Sequence, residues 1–169
     1  MLAIGIDPGT AITGYGLVKE LADGSLQVVD YGVIQTPASH AMPDRLVQLY
    51  QELKQIINLH EPQSGAVEKL FFARNVRTAL SVGQARGIAL LALAESSVAV
   101  AEYTPNEIKQ AVAGYGGAEK LQVQMMVKAL LNLEQVPQPD DAADALAVAI
   151  CHLHSARLRS LEDQQDYLD

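Results

Sequence analysis

Leu2-Ala3-Ile4-Gly5-Ile6 is a short apolar run that closes on an acid, and Asp7-Pro8-Gly9-Thr10 has the make-up of a turn, with Pro fixing φ and Gly free to take φ > 0. The stretch reads as strand, then turn. Gly14 to Lys19 and Leu26 to Gln35 alternate or cluster apolar residues with Val, Ile and Tyr, and Asp23-Gly24 between them is a hairpin signal. Three antiparallel strands therefore open the chain. From Pro43 to His60, Leu46, Leu49, Tyr50, Leu53, Ile56 and Ile57 recur with the period of an amphipathic helix, expected to cover one sheet face. Gly65 to Val67 reads as a short buried strand ending in Glu68, followed by a polar, basic loop through Phe71, Phe72, Arg74 and Asn75. An Ala-, Leu- and Gly-rich helix spans about Arg77 to Ala94, and Val98 to Glu102 alternates as another strand. Thr104-Pro105 with Glu107 has the pattern of a capped helix start, and that short helix reaches about Val112. The glycine-rich link Ala113 to Gly117 leads to a helix over Glu119 to Leu131, which the prolines between Val136 and Pro139 stop. A last helix is expected from Asp140 or Asp141 to about Ala156, with a frayed acidic tail over 157–169. This order predicts an α/β fold, a mixed five-stranded sheet with helices on both faces.

The chain has 169 residues, enough for one domain with a sizeable core, and its 49% hydrophobic and 19% charged content excludes a wholly disordered chain. The single cysteine, Cys151, forms no internal disulfide and offers no thiolate metal site, which points to a reducing compartment. Met1 to Asp7 lacks a basic leader and a small-residue cleavage site, so a signal peptide is not expected. The longest apolar candidate is broken by Gln84, Arg86 and Glu95, short of the roughly 18 residues of a membrane span, so no membrane partner and a cytoplasmic location are expected. Net charge is -8, but unevenly spread. Residues 69–128 hold 7 basic against 4 acidic side chains, net +3, between flanks of -5 and -6. Such a middle can form a phosphate-binding face. Charge alone favours the plainer reading, seven solvated surface cations.

The carboxylates carry more information. Asp7 and Glu68 each close an apolar strand, so if those strands are neighbours the two side chains emerge at one sheet edge. Asp141 and Asp144 lie three apart on a helix and hence on one face. That helix is apolar nearly all round, through Ala142, Ala143, Ala145, Leu146, Ala147, Val148, Ala149 and Ile150, so an acid in its interior turn is partly desolvated. Asp140 and Asp141 have an ordinary reading as first-turn acids, and Asp7 as a turn-opening residue. Glu68 has no capping role, and Asp144 lies too deep to cap. Neither Asp7 nor Asp144 has a basic residue within ten positions. Four carboxylates converging without partner cations repel one another unless hard divalent ions, Mg²⁺ or Mn²⁺, sit between them. Two such ions about 3.5 to 4 Å apart are the apparatus of phosphoryl transfer.

Ile4-Gly5-Ile6-Asp7-Pro8-Gly9-Thr10 with Gly14-Tyr15-Gly16, Glu68 followed by Phe71 and Asn75, Gly83-Gln84-Ala85-Arg86-Gly87, Ala118-Glu119-Lys120 with Gln122-Val123, and Asp141-Ala142-Ala143-Asp144-Ala145-Leu146-Ala147, in this order, resemble the RuvC family of bacterial Holliday junction resolvases. The resemblance spans residues 1–156 and implies a ribonuclease H-like nuclease domain, a homodimer, and paired symmetric nicks across a four-way DNA junction. It also implies cooperation with the RuvA and RuvB branch-migration machinery in recombination and repair. By the match, Asp7, Glu68, Asp141 and Asp144 are the metal-binding catalytic carboxylates, and Lys109 and Lys120 contact DNA near the scissile phosphate. Phe71 matches an aromatic that stacks on a base near the crossover; its plainer reading is a core or interface residue. Arg74 and Arg77 belong to the same basic stretch and are candidate DNA contacts. The expected reaction is Mg²⁺-dependent phosphodiester hydrolysis leaving 5'-phosphate and 3'-hydroxyl ends. Gly83 and Gly87, one turn apart, permit close helix approach, either across a dimer interface or within the fold.

Three other readings share parts of this pattern. An actin-fold kinase or ATPase has the Asp7 to Thr10 turn but needs a second lobe to enclose nucleotide. Another ribonuclease H-like nuclease, acting on hybrids or replication intermediates, keeps the acids and changes the substrate. A noncatalytic junction-binding module keeps Phe71 and the lysines without needing the acids. Tyr115, in the glycine loop, either touches DNA or is merely solvated, and His40, His60, His152 and His154 read as surface or packing residues.

Overall fold

In the computed structural model the backbone is described over residues 1–69 and 76–165. Strands β1 (Leu2–Asp7), β2 (Ile12–Glu20) and β3 (Leu26–Gln35) precede helix α1 (Met42–His60), strand β4 (Ser64–Glu68), helix α2 (Val76–Glu95) and strand β5 (Ala99–Tyr103). Helices α3 (Pro105–Ala113), α4 (Lys120–Leu130) and α5 (Asp140–Gln165) complete the chain. The sheet order is β3-β2-β1-β4-β5. β1 runs antiparallel to β2, β2 antiparallel to β3, and β1, β4 and β5 are parallel neighbours. The mixed five-stranded sheet expected from the sequence is the one formed.

Strand alternation splits the core into two. Ile4, Ile6, Leu17, Ile34 and Val67 face α1 and α2, meeting Leu49, Leu53, Ile57, Ala85, Ala89 and Leu93. Ala3, Val18 and Ala66 face the other way, against α3, α4 and α5, through Ile108, Val112, Val123, Val127, Leu146, Ile150 and Leu153. Helix α5 lies directly on β1 and β2 because the strands offer it no side chains there. Gly5 and Gly16 are cross-strand partners. A Cβ on Gly5 would overlap the Ala145 carbonyl oxygen and the Ala149 nitrogen, and one on Gly14 the Asp141 carbonyl oxygen. The missing side chains bring the helix axis against the sheet, and with it the first turns that carry Asp141 and Asp144.

The expected helix start at Thr104 is observed: its hydroxyl accepts from the Glu107 N–H, and the Glu107 carboxylate accepts from the Thr104 N–H, a reciprocal cap. The last helix differs from expectation. It continues past Ala156, where its end was expected, to Gln165. No Gly or Pro interrupts the segment, and Arg157 anchors it to the β2–β3 hairpin through the Gly24 carbonyl and Glu20. Among the described residues no helix is long and apolar enough to cross a membrane.

Candidate active site

β1 and β4 pair in parallel with Ile6 opposite Val67, so their last residues, Asp7 and Glu68, leave the sheet side by side at its carboxyl end. Behind Asp7 the turn is fixed by Thr13, whose hydroxyl donates to the Gly9 carbonyl at 2.6 Å and accepts from the Gly9 N–H at 3.2 Å. Gly14, paired with Asp7 across the β1–β2 ladder, leaves no room for a side chain beneath Asp141, which lies in the first turn of α5. Asp144, one turn on, lines a cavity of about 270 Å³ together with Glu68, Lys109, Lys120, Pro105, Ile108, Val123 and Ala147. Residues remote in sequence are thus gathered at the ends of two strands and one helix.

The electrostatics follow from that convergence. Burial pushes the Asp7 carboxyl up to about 8, with further contributions from the charges of Glu68, Asp144 and Asp141 and from a hydrogen bond shared with Glu68. Glu68 is also raised, first by burial and then by Asp144, against the hydrogen bond to Asp7 and the pull of Lys109 and Lys120. Asp144 is raised by burial, opposed by Lys120. Here the expectation of acids without cationic partners is corrected. Lys120, from α4, places its Nζ 3.0 Å from Asp144 Oδ2 and 3.2 Å from Asp140 Oδ2. Sequence distance hid this pair, since the lysine comes from a different helix 24 positions upstream.

The donor set is oxygen only. The four carboxylates suit a hard divalent ion rather than a soft one. Among the described residues no three His, Cys, Asp or Glu side chains already stand at cage spacing around one point. The fit to a metal is therefore one of donor chemistry and unbalanced charge.

The remaining candidates divide. Lys109 and Lys120 share the cavity wall with Glu68 and Asp144. Phe71 and Arg74 lie outside the described residues, and of Arg77 only the backbone, in the first turn of α2, is described. Tyr115 is exposed and donates to Gln122 Oε1 at 2.6 Å. His60 lies 3.1 Å from Asp30, His152 meets the Tyr103 hydroxyl, and His154 meets the Ala111 carbonyl, all packing or surface contacts. Sequence reasoning missed Gln124, a buried amide that donates to Asp140 Oδ1 at 3.1 Å. A polar residue between Val123 and Val127 on an otherwise apolar helix face was the available signal.

Residues 3–152 match the family model for crossover junction endodeoxyribonuclease RuvC. The chain belongs to the RuvC family. Curated relatives named crossover junction endodeoxyribonuclease RuvC include one from Syntrophomonas wolfei, 55% identical over 160 residues, covering 95% of this chain and 92% of that one. Another, from Chloroflexus aggregans, is 58% identical over 156 residues, covering 92% and 94% of the two chains. Among solved structures, T. thermophilus RuvC in complex with a Holliday junction substrate superposes with a TM-score of 0.86 at 32% identity, covering 94% of this chain and 96% of that one. The similarity to RuvC chains takes in all three elements that carry the acids. The ribonuclease H-like architecture expected from the motifs is thereby the RuvC one.

Proposed function

We propose that this RuvC-family enzyme resolves four-way DNA junctions by hydrolysing one phosphodiester in each of two opposed strands, with two divalent cations, Mg²⁺ or Mn²⁺, held by Asp7, Glu68, Asp141 and Asp144. The observation that carries the reading is the burial and convergence of acids at the ends of β1 and β4, which pushes the Asp7 carboxyl up to about 8. A carboxylate disfavoured by burial and by like charges is one that a cation re-ionises. The T. thermophilus relative bound to a Holliday junction supports the choice of substrate. When bound, such a pair of ions activates water and stabilises the leaving oxygen.

The chain's own contribution is position and charge. Asp7 and Glu68 project from paired strand ends, and Asp141 and Asp144 from a helix seated on glycine, so the four donors share one rigid frame. Lys109 and Lys120, on the cavity wall, bring positive charge to the phosphate being cut. Phe71 stacks on a base near the crossover, and Arg74 and Arg77 contact the backbone. Strands cut in this way end in a 5'-phosphate and a 3'-hydroxyl, which a ligase can rejoin.

A substrate with two-fold symmetry calls for a two-fold enzyme. The dimer face we assign is the outer side of α2, where Leu80 and Leu91 are 67% and 47% exposed and a Cβ on Gly87, between them, would meet nothing within 4 Å. RuvA and RuvB are the proposed partners in the cell.

Cleavage of a synthetic four-way junction, a linear duplex and an RNA:DNA hybrid with Mg²⁺ tests the reading. Paired nicks in the junction alone are expected. Preferential cutting of the hybrid, or tight junction binding without any cutting, would overturn it.

A further inference from the structure

The first turn of α5 carries one acid more than the metal reading uses. Asp140 is half exposed and stands outside the cavity lining, yet it is gripped by two side chains one turn apart on α4. Lys120 Nζ lies 3.2 Å from its Oδ2, and Gln124 Nε2 donates to its Oδ1 at 3.1 Å. Gln124 is only 7% exposed, so its amide is committed to the contact between the two helices. The Lys120 and then the Gln124 hydrogen bonds hold the Asp140 carboxyl below the usual range. The same Lys120 nitrogen also donates to Asp144 Oδ2 at 3.0 Å. One ammonium therefore bridges two carboxylates, one inside the cavity and one beside it.

We propose that Asp140 is a positioning residue for Lys120. It gives the ammonium a second anchor, so that a divalent ion taking over Asp144 breaks one of two ionic contacts instead of the lysine's principal one. Lys120 then stays at the cavity rim, within reach of a DNA phosphate, when the ion enters. Gln124 keeps the Asp140 carboxylate turned toward the lysine; without it the short side chain is free to rotate into solvent. The inference rests on the reading of Asp144 as a metal ligand.

Mn²⁺ binding to the DNA-free protein, followed by calorimetry, separates this role from a simple charge effect. Asp140→Asn is expected to weaken Mn²⁺ binding by about three- to tenfold, and Gln124→Met, which leaves the charge unchanged, by about two- to threefold. Both effects should vanish when Lys120 is first replaced by Ala. An Asp140→Asn effect that persists undiminished in Lys120→Ala would make Asp140 a plain nearby charge and overturn the inference alone. So would wild-type Mn²⁺ affinity in both single variants. If the wild-type protein takes up no Mn²⁺, or Asp144→Asn binds it as wild type does, the metal reading falls and takes this inference with it.

Discussion

In the middle of β3, Asp30 accepts from the Tyr15 hydroxyl and lies 3.1 Å from His60 Nε2; on β5, Glu102 pairs with Arg86 of α2; at the end of α2, Glu95 accepts from the Tyr50 hydroxyl of α1. Each of these acids has a partner on a neighbouring element. At the carboxyl ends of β1 and β4 the arrangement is different: Asp7, Glu68, Asp141 and Asp144 converge, and Lys120 and Lys109 answer only part of their charge. Paired acids tie elements together. The converging ones, only partly answered, raise each other's proton affinity, a charge that weakens the fold and that the proposed cations would balance.

The contrast is broken most severely at Asp7. Asp7→Asn is expected to lower junction cleavage by on the order of a thousandfold, several kcal/mol of lost transition-state stabilisation, while junction binding in a gel-shift assay stays within about threefold. Loss of binding instead would make Asp7 a structural residue.

A second consequence concerns pH. Because the folded-state value of Asp7 is raised to about 8, the folded protein holds a proton there that the unfolded chain releases near 3.8. The contribution of this group to stability is fully present below the unfolded value and is lost as pH rises through about 8. Thermal melts of the metal-free protein should therefore move to lower temperature across that window, and Glu68 and Asp144, also raised, add in the same direction. Asp7→Asn should flatten the trend. An unchanged slope in the variant would show that the site's charge is already balanced.

The paired acids should respond in the opposite way. Glu102→Gln removes the partner of Arg86 and is expected to destabilise the protein by about 1 kcal/mol in urea titrations, with the cleavage rate of the folded enzyme unchanged. Smallest is the effect of a single cation on DNA binding. Lys120→Ala should reduce the slope of log binding constant against log salt by about one phosphate contact. An unaltered slope would confine the lysine to its two carboxylates.

Much of the candidate site was legible in the chain. Asp7 and Glu68 were marked by apolar runs that end in an acid, Glu68 with no capping role and Asp7 with a turn-opening one as its plainer reading, and Asp144 by its depth in an apolar helix. The capping box at Thr104 and Glu107 was legible because all its partners lie within one turn. The ion pair from Lys120 to Asp144 was not, and neither was the grip of Gln124 on Asp140, since both join α4 to α5 across a tertiary contact. The helical path beyond Ala156 also escaped, because a polar composition shows what the segment is made of and not that Arg157 finds Glu20 and Gly24.

By itself, then, the sequence determined the strands and helices, the parity that sends alternate residues to opposite sheet faces, and which acids lack a local explanation. These are properties of neighbours along the chain, set by backbone geometry and side-chain period. Only the tertiary structure decided that β1 and β4 lie side by side in parallel, that glycines at 5 and 14 seat α5 against them, and that Lys120 reaches the carboxylates. Those outcomes depend on how separate surfaces fit and how charges sum at a distance of a few ångströms, quantities that no stretch of sequence contains.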